Sequence, residues 1–436
     1  MKPMGWRFVV VADLGLASKE AVRVPSGDGD AILAALRPSV EIGGARREFA
    51  EEKAFAPEAL GTSPDAILHL PAFQRVESAF RGLKFLMQQA GAAIQVDVVS
   101  ATQKELAARF REAVFEPEMK ELRSPPLGLV ILDYDFSHQG ADLAALSQVA
   151  DMCKVAQAPL IGAASPGFFG LKQLNLLTKL NDIPQRLHDG AHAAWVTFQK
   201  SELARWTSLT VNRWLQRPAY TVEKGGHAEA IDPAKPETLL WGRGGWVAAA
   251  AIARSIAQHG HMLDASGPRA GGFAGVPTRP YLKTANQPVP LATEVELSDE
   301  LIQELSRSAF LPLSGRTGSD VIVVTILVNA FRTAPARLTV SGTLAYQMMA
   351  GRLAQLCAFL LEELPAGDAG AAFLKQELTA FLGPLAGKTP ETAVKVEPVE
   401  MKDAEGKVVK LAQITVQPEA RIESMEFKFV FQLPLR

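Results

Sequence analysis

The chain has 436 residues, 48% of them hydrophobic and 21% charged, with a formal net charge of −2 and only two cysteines. That composition is globular and predicts about two or three domains. It excludes a fibrous repeat, a disulfide framework and the strong basic field of a nucleic-acid or anionic-membrane binder.

In chain order, Trp6 to Leu14 read as a buried strand of β-branched residues, and Ala21 to Pro25 as a second, shorter one. The basic and apolar start is too short for a signal peptide, because Asp13 interrupts it. Ser26 to Asp30 form a turn, and Asp30 caps a helix to Leu36. Residues 43–65 read as a linker. Pro71 opens a strong helix whose stripe runs through Phe73, Val76, Phe80, Leu83 and Met87. Ile94 to Val99 is a strand and Gln103 to Phe115 a helix. Leu127 to Leu132 is a strand that ends at Asp133-Tyr134-Asp135. Leu143 to Ala156 is helical, and Leu160 to Ala164 is another strand. This alternation predicts an α/β layer with a largely parallel sheet.

Residues 175–217 read mostly as helices, 220–238 as a soft boundary, 241–260 as an Ala-rich helix and 264–292 as a long irregular loop. Val321 to Val328 is strongly β-forming. Helices are expected over Leu344 to Leu364 and Ala372 to Leu382. Ala393 to Met401 and Lys407 to Val416 are strand-like, with Asp403 to Gly406 as the hairpin turn. In the last segment Met425, Phe427, Phe429, Phe431 and Leu433 alternate with Glu426, Lys428, Val430 and Gln432. Such alternation marks a half-buried strand, either inside this chain's own core or at an edge that pairs with a neighbour. No apolar stretch is long enough to span a membrane, so the chain reads as soluble and cytoplasmic.

The motifs that carry chemistry are thin. Asp133 and Asp135 share a face after a strand, where a carboxylate pair for a divalent metal sits in parallel sheets. A metal-dependent α/β enzyme built on Asp133/Asp135 is therefore an alternative, although no phosphate loop accompanies the pair. The glycine clusters at 242–245 and 271–275 lack dinucleotide spacing. His188/His192 and His259/His261 are weak ligand patterns, and no nucleophile elbow surrounds Ser165. Cys153 and Cys357 read as buried free thiols.

The segment Ile67 to Leu83, with His69, Phe73, Gln74, Glu77, Arg81 and Gly82, resembles the large subunit of the contractile sheath of type VI secretion systems, the TssC/VipB family. Phe80 stands where that family usually has Trp. Asp133-Tyr134-Asp135-Phe136, Ala158 to Ile161 and Ala164-Ser165-Pro166 are similar to further segments of the family, in its order. So are Ala204-Arg205-Trp206, the run with Arg213 and Arg217, Leu240-Trp241-Gly242, Thr293-Glu294-Val295 and Phe310 to Leu313, where Ala309 replaces a usual Gly. Residues 1–42 depart: Trp6 to Gly15 and Ala31 to Pro38 look like the small subunit (TssB/VipA), which leaves open a variant with a small-subunit-like N-terminal segment.

The resemblance implies a mixed α/β, phage-tail-sheath-like multi-layer protomer whose C-terminal β-hairpin and strand region enters an inter-subunit sheet. The implied organisation is residues 1–55 as the small-subunit-like segment, 56–220 and 221–392 as two parts of an α/β sheath core, and 393–436 as assembly strands. It implies no active site, cofactor or metal. The motif residues are structural, and Met425, Phe427, Phe429, Phe431 and Leu433 serve assembly. Implied partners are further copies of the chain or a small sheath subunit, an Hcp-like inner tube protein, a baseplate and a Clp-type ATPase, with no nucleic acid and no membrane insertion. A sheath-like baseplate or terminal adaptor is the second role this resemblance leaves open.

Overall fold

The computed structural model describes residues 4–14, 20–24, 63–120, 125–232, 235–284, 287–333, 337–366, 368–402 and 408–435. The expected helix over 30–36, nearly all of the 43–65 linker and the 403–406 turn lie outside these residues.

Strand β1 (Trp6–Ala12) is buried at every position, and β2 (Val22–Val24) follows it. Helix α1 (Pro71–Ala90) begins with a proline, whose missing N–H has no helical partner to lose. It stops at Gly91, where φ is +53°. After β3 (Ile94–Ser100), a helical stretch from Leu106 to Lys120 passes through one π turn over Arg111–Phe115. Then come β4 (Leu127–Phe136), α2 (Gly140–Ala156) and β5 (Leu160–Ala164). Short helical turns lead to β6 (Thr207–Val211) and β7 (Arg213–Leu215), which meet at Asn212 in the left-handed region (φ +84°). β8 (Trp241–Arg243) runs into α3 (Gly244–His259). β9 (Gly272–Phe273), β10 (Arg279–Thr284) and β11 (Gln287–Leu291) precede α4 (Asp299–Arg307), which the Ser298 side chain caps. β12 (Phe310–Gly315), β13 (Ile322–Val324), α5 (Leu344–Glu362) and α6 (Asp368–Leu382) complete the main body. β14 (Val394–Lys402), β15 (Val408–Val416) and β16 (Phe429–Pro434) form a separate sheet.

The main sheet has nine strands in the order β2-β3-β1-β4-β5-β6-β12-β13-β9. The six from β3 to β12 are parallel, and β2, β13 and β9 add antiparallel edges. A parallel sheet is covered on both faces, which is why Phe8 to Ala12 of β1 form a continuous apolar run. Phe8, Val10 and Ala12 enter a core shared with α1, α3 and α5. Val9 and Val11 enter the opposite core, with α2 and the turns that carry Phe168, Trp195 and Trp206.

β1 lies inside this sheet, third from the β2 edge and between β3 and β4, so the N-terminal strand is integral to the core. β6 and β12, on either side of the expected boundary at 220, are hydrogen-bonded neighbours. Residues from both expected halves therefore share one sheet.

Several expectations are corrected. The strand from Leu127 continues through Asp133, Tyr134 and Asp135 to Phe136 instead of ending before them. Residues 207–215, expected as helix, form β6 and β7; their Thr and Ser side chains are buried, and Thr210 donates to the Gly162 carbonyl at 3.0 Å. The 264–292 loop contains the β10–β11 hairpin. Only Ile322–Val324 of the 321–328 run is a strand. The buried face of α1 runs through Ala79, Gly82, Leu83, Leu86, Met87 and Ala90, so Leu83 and Met87 of the expected stripe pack in the core with Phe80 half-buried beside them, while Phe73 at its start is exposed. α5 is long and apolar enough to cross a membrane by composition, and most of it is buried in the core.

Candidate assembly surface

β14 pairs antiparallel with the whole of β15, and β16 pairs antiparallel with residues 411–416 of β15. Alternation sorts their side chains. Val394, Ala412, Ile414, Val416 and Phe429 are buried in the core shared with α5 and α6, with Phe431 and Leu433 half-buried beside them. Phe427 is buried just before β16, and Met425 sits in a tight turn bridged to Ile422. Tyr346 of α5 stacks on Phe429 with ring centroids 4.7 Å apart, and Phe427 meets Phe429 edge-on at 5.7 Å. The alternating residues thus face this chain's own core, while β16 is at the same time an edge strand. Among the described residues β14 and β16 each have one side without a strand neighbour, a template for strand addition.

The motif residues of α1 meet the 213–243 segment in a buried polar network. Arg217 donates from Nε to Glu77 Oε1 at 2.8 Å and from Nη2 to Glu229 Oε1 at 3.1 Å, and its guanidinium lies 4.3 Å from the Tyr220 ring centroid. Arg81 donates to Glu77 at 2.8 Å and to the Tyr220 hydroxyl at 3.1 Å. His69 pairs with Glu229 at 3.2 Å, and Gln74 donates to the Glu237 carbonyl. Burial opposes the Arg217 charge, yet its hydrogen bonds to Glu229 and Glu77 hold its pKa above the ordinary value. Ser78 donates to the Trp241 carbonyl, and Gln216 donates to the Ser78 carbonyl, each at 3.0 Å. A Cβ on Gly242 would fall 2.4 Å from the Gln216 amide nitrogen and 2.6 Å from the Trp214 indole nitrogen, so only glycine fits. Glu229, Gln216, Ser78 and Tyr220 complete this network. Sequence reasoning missed them because no local pattern marks a partner some 140 residues away.

A second cluster overturns the metal reading of Asp133/Asp135. Arg243 donates to Asp133 Oδ1 at 3.1 Å and to Asp135 Oδ2 at 2.9 Å, so a guanidinium occupies the place where a cation would bind. Trp246 donates its indole N–H to the same Asp133 oxygen at 2.9 Å. Burial works against the Arg243 charge, but the two carboxylates hold its pKa above the ordinary value. Tyr134 donates to the Ala101 carbonyl at 2.7 Å. Arg213 forms a two-pronged pair with Glu294, and Asn212 donates to the carbonyls of Val295 and Leu313. His192 is buried against Asp189 and the Phe168 carbonyl, and His188 faces the Pro184 carbonyl, so the two do not converge. Among the described residues no group of three His, Cys, Asp or Glu side chains is placed to hold a metal. Cys153 and Cys357 are both buried, and burial pushes the Cys357 thiol up to about 12.

These clusters join strands and helices within one protomer.

Comparison with known proteins gives the same picture. A family model described as VipB, EvpB/VC_A0108, tail sheath N-terminal domain, matches residues 57–326. The type VI secretion system sheath protein TssC1 of Pseudomonas aeruginosa is 26% identical over 276 residues, which cover 58% of this chain and 55% of that protein. The match therefore spans about half the length of that relative. Two solved structures share the fold. A chain of the anti-feeding prophage baseplate has a TM-score of 0.51 and 12% identity, covering 97% of this chain and 92% of its own. A chain of the contracted anti-feeding prophage helical sheath has a TM-score of 0.51 and 10% identity, covering 98% and 93%.

Proposed function

The chain belongs to the VipB tail-sheath family, and on that premise we propose that it is a structural protomer of a type VI contractile sheath. It polymerises into a helical tube around an inner tube and contracts to drive effector delivery, in the cytoplasm of a bacterium. One observation supports the reading within this chain: a C-terminal sheet, anchored on the core by Phe427 and Phe429, whose outer strands have no further strand beside them among the described residues. Head-to-tail contacts that do not close generate helical tubes. Contraction is then a change between two lattices of one folded unit, and the work comes from their free-energy difference. On this reading the chain has no catalytic role. Its partners are its own copies or a small sheath subunit, an Hcp-like inner tube, a baseplate, and a Clp-type ATPase for disassembly.

The test is electron microscopy of the purified chain, alone and with a small sheath subunit. Tubes or rings are expected, and truncation before Ile422 removes β16 and abolishes them. A truncated chain that assembles normally refutes linkage through this strand.

The equal likeness to a baseplate chain favours a second reading, a sheath-like baseplate or terminal adaptor. Copy number per particle separates the two, because a sheath protomer recurs in many rings and an adaptor in few copies.

A further inference from the structure

We infer that a small cavity beside the C-terminal end of α4 is a binding site for a tetrahedral oxyanion of the phosphate class; this does not depend on the sheath reading. The cavity has a volume of about 140 Å³, several times the roughly 30 Å³ that one water molecule occupies in the liquid. Its polar wall is made by His188, Lys200, Arg307, Ser308, Arg332 and Thr333, and no acidic residue lines it. Three segments far apart in sequence meet there: the helical turns over 183–200, the end of α4, and the stretch after β13.

Arg332 gives the site its fixed charge. It is 6% exposed. Its Nε donates to the Arg307 carbonyl at 3.1 Å and its Nη2 to the Ser306 carbonyl at 2.7 Å. Its Nη1 donates to the carbonyls of Asn329 and Phe331 at 3.0 and 2.6 Å. All of these partners are neutral. Burial lowers its pKa to about 10, so it is charged at neutral pH, and no carboxylate counters that shift. The last carbonyls of α4 carry the negative end of the helix dipole and offset part of the charge. They do not offset Lys200 and Arg307, two exposed cations on the same cavity that form no ion pair among the described residues. The carboxylates of the 182–202 turns and of the last turn of α4 are engaged elsewhere. Asp182 accepts from the Gln185 N–H, Asp189 pairs with His192, Glu202 pairs with Arg205, and Glu304 accepts from the Ile183 N–H.

Ser308, the residue after α4, is 7% exposed, and its hydroxyl has no hydrogen-bond partner among the described residues. A buried hydroxyl left without a partner is costly, and an anion in the cavity would accept its hydrogen bond. The wall is already held in place: Gln199 donates from Nε2 to the Ser308 carbonyl at 3.2 Å, and the Arg332 N–H donates to the Gln199 carbonyl at 2.9 Å. Arg332 supplies charge, and Ser308, Thr333, Lys200 and Arg307 supply donors from all three segments. A planar carboxylate offers two oxygens in one direction. Phosphate offers four at tetrahedral angles, which suits donors that converge from several sides, and its charge is favoured by cations at a partly desolvated site.

The probe is inorganic phosphate, added to the full chain at constant ionic strength against chloride. Binding is read by calorimetry and by melting temperature. The variants are Ser308→Ala and Arg307→Gln, with Lys154→Gln as a control, an exposed lysine of α2 that does not line the cavity. Ser308→Ala removes no side-chain hydrogen bond within the chain, so without phosphate it should melt as wild type does. The expected result is one saturable phosphate site per chain in wild type and Lys154→Gln, with a melting temperature that rises as phosphate is added. Affinity should fall by about tenfold or more in Ser308→Ala and in Arg307→Gln, the loss expected for one charge-assisted hydrogen bond. AMP is the second probe. If it binds more tightly than phosphate and is weakened by the same two substitutions, the site stands and takes a phosphate carried on a larger molecule. No saturable binding of either probe, or binding weakened no more by these substitutions than by Lys154→Gln, overturns the inference.

Discussion

Gly82 of α1 lies against the indole of Trp246 of α3, so closely that a Cβ on Gly82 would come within 2.4 Å of the ring. The ring cannot retreat, because it is 1% exposed and its N–H is bound to Asp133. In an open helix, glycine to alanine gains up to about 1 kcal/mol from propensity. Here overpacking should reverse that sign. Gly82→Ala is expected to destabilise the chain by about 1–3 kcal/mol, read as a lower urea midpoint with an unchanged slope. A raised midpoint would show that the two helices have room to part.

Glu229 gives a dependence on pH. Burial opposes its charge, but hydrogen bonds from Arg217, the Tyr220 N–H and His69 hold its carboxyl below the ordinary glutamate value of 4.5. A carboxyl lowered by folding adds stability above its unfolded pKa and loses it as pH falls through the folded pKa. Glu229→Gln is therefore expected to lower the melting temperature most near neutrality. The gap to wild type should close as the pH drops below the ordinary glutamate value. Melting curves between neutral and acid pH check this, and a gap that stays constant would mean that the charge of Glu229 contributes nothing. Arg217→Ala strands two carboxylates and should cost about 3–5 kcal/mol at neutral pH.

What sequence conveys here follows from how local the signal is. The apolar runs within 6–12, 94–100 and 160–164 name their own strands, because a sheet buried on both faces needs mostly apolar residues. The alternation from Phe427 to Leu433 names its face just as directly. The face of α1 is legible only in part: Leu83 and Met87 mark it, but Ala79, Gly82 and Ala90, whose small size admits α3, add little to an apolar pattern. The β10–β11 hairpin is hidden by Pro280, Pro288 and Pro290, which read as loop. Glu77 and Arg217 could be named as motif residues by resemblance, yet their direct bond spans 140 positions and has no local signature.

The Arg243 bridge yields a prediction about metal. With its guanidinium already bound to Asp133 and Asp135, the pair should bind neither Mg²⁺ nor Mn²⁺ at micromolar concentration. Calorimetry with each ion should give only the heat of dilution, for the wild-type chain and for Asp133→Ala alike. The same substitution should be costly to the fold, since it leaves Arg243 and the Trp246 N–H without their shared acceptor; about 3–5 kcal/mol is expected for breaking a buried ion pair. Saturable heat that disappears in Asp133→Ala would restore the metal reading.

The N-terminal strand gives the last prediction. β1 precedes the residues that match the family model, yet it sits inside the nine-stranded sheet, between β3 and β4. Arg352 of α5 ties it down. Its guanidinium lies 4.3 Å from the Trp6 ring centroid and donates to the carbonyls of Met4 and Gly5. Arg352 is 2% exposed, and burial lowers its pKa to about 10, so it remains charged at neutral pH and depends on those acceptors. Arg7, also buried, is paired with Asp97 of β3 and with Glu118. A chain begun after Leu14 would leave β3 and β4 without the strand between them and expose both apolar faces that β1 covers. It is expected to be insoluble or to lack a cooperative melt. Arg352→Met keeps the stem and the strand but removes the donors to Met4 and Gly5. It should fold with a lower melting temperature, by about 1–3 kcal/mol for the unsatisfied acceptors. A shortened chain that melts cooperatively at the wild-type temperature would mean that β1 is an appendage, and that the remaining strands close the sheet without it.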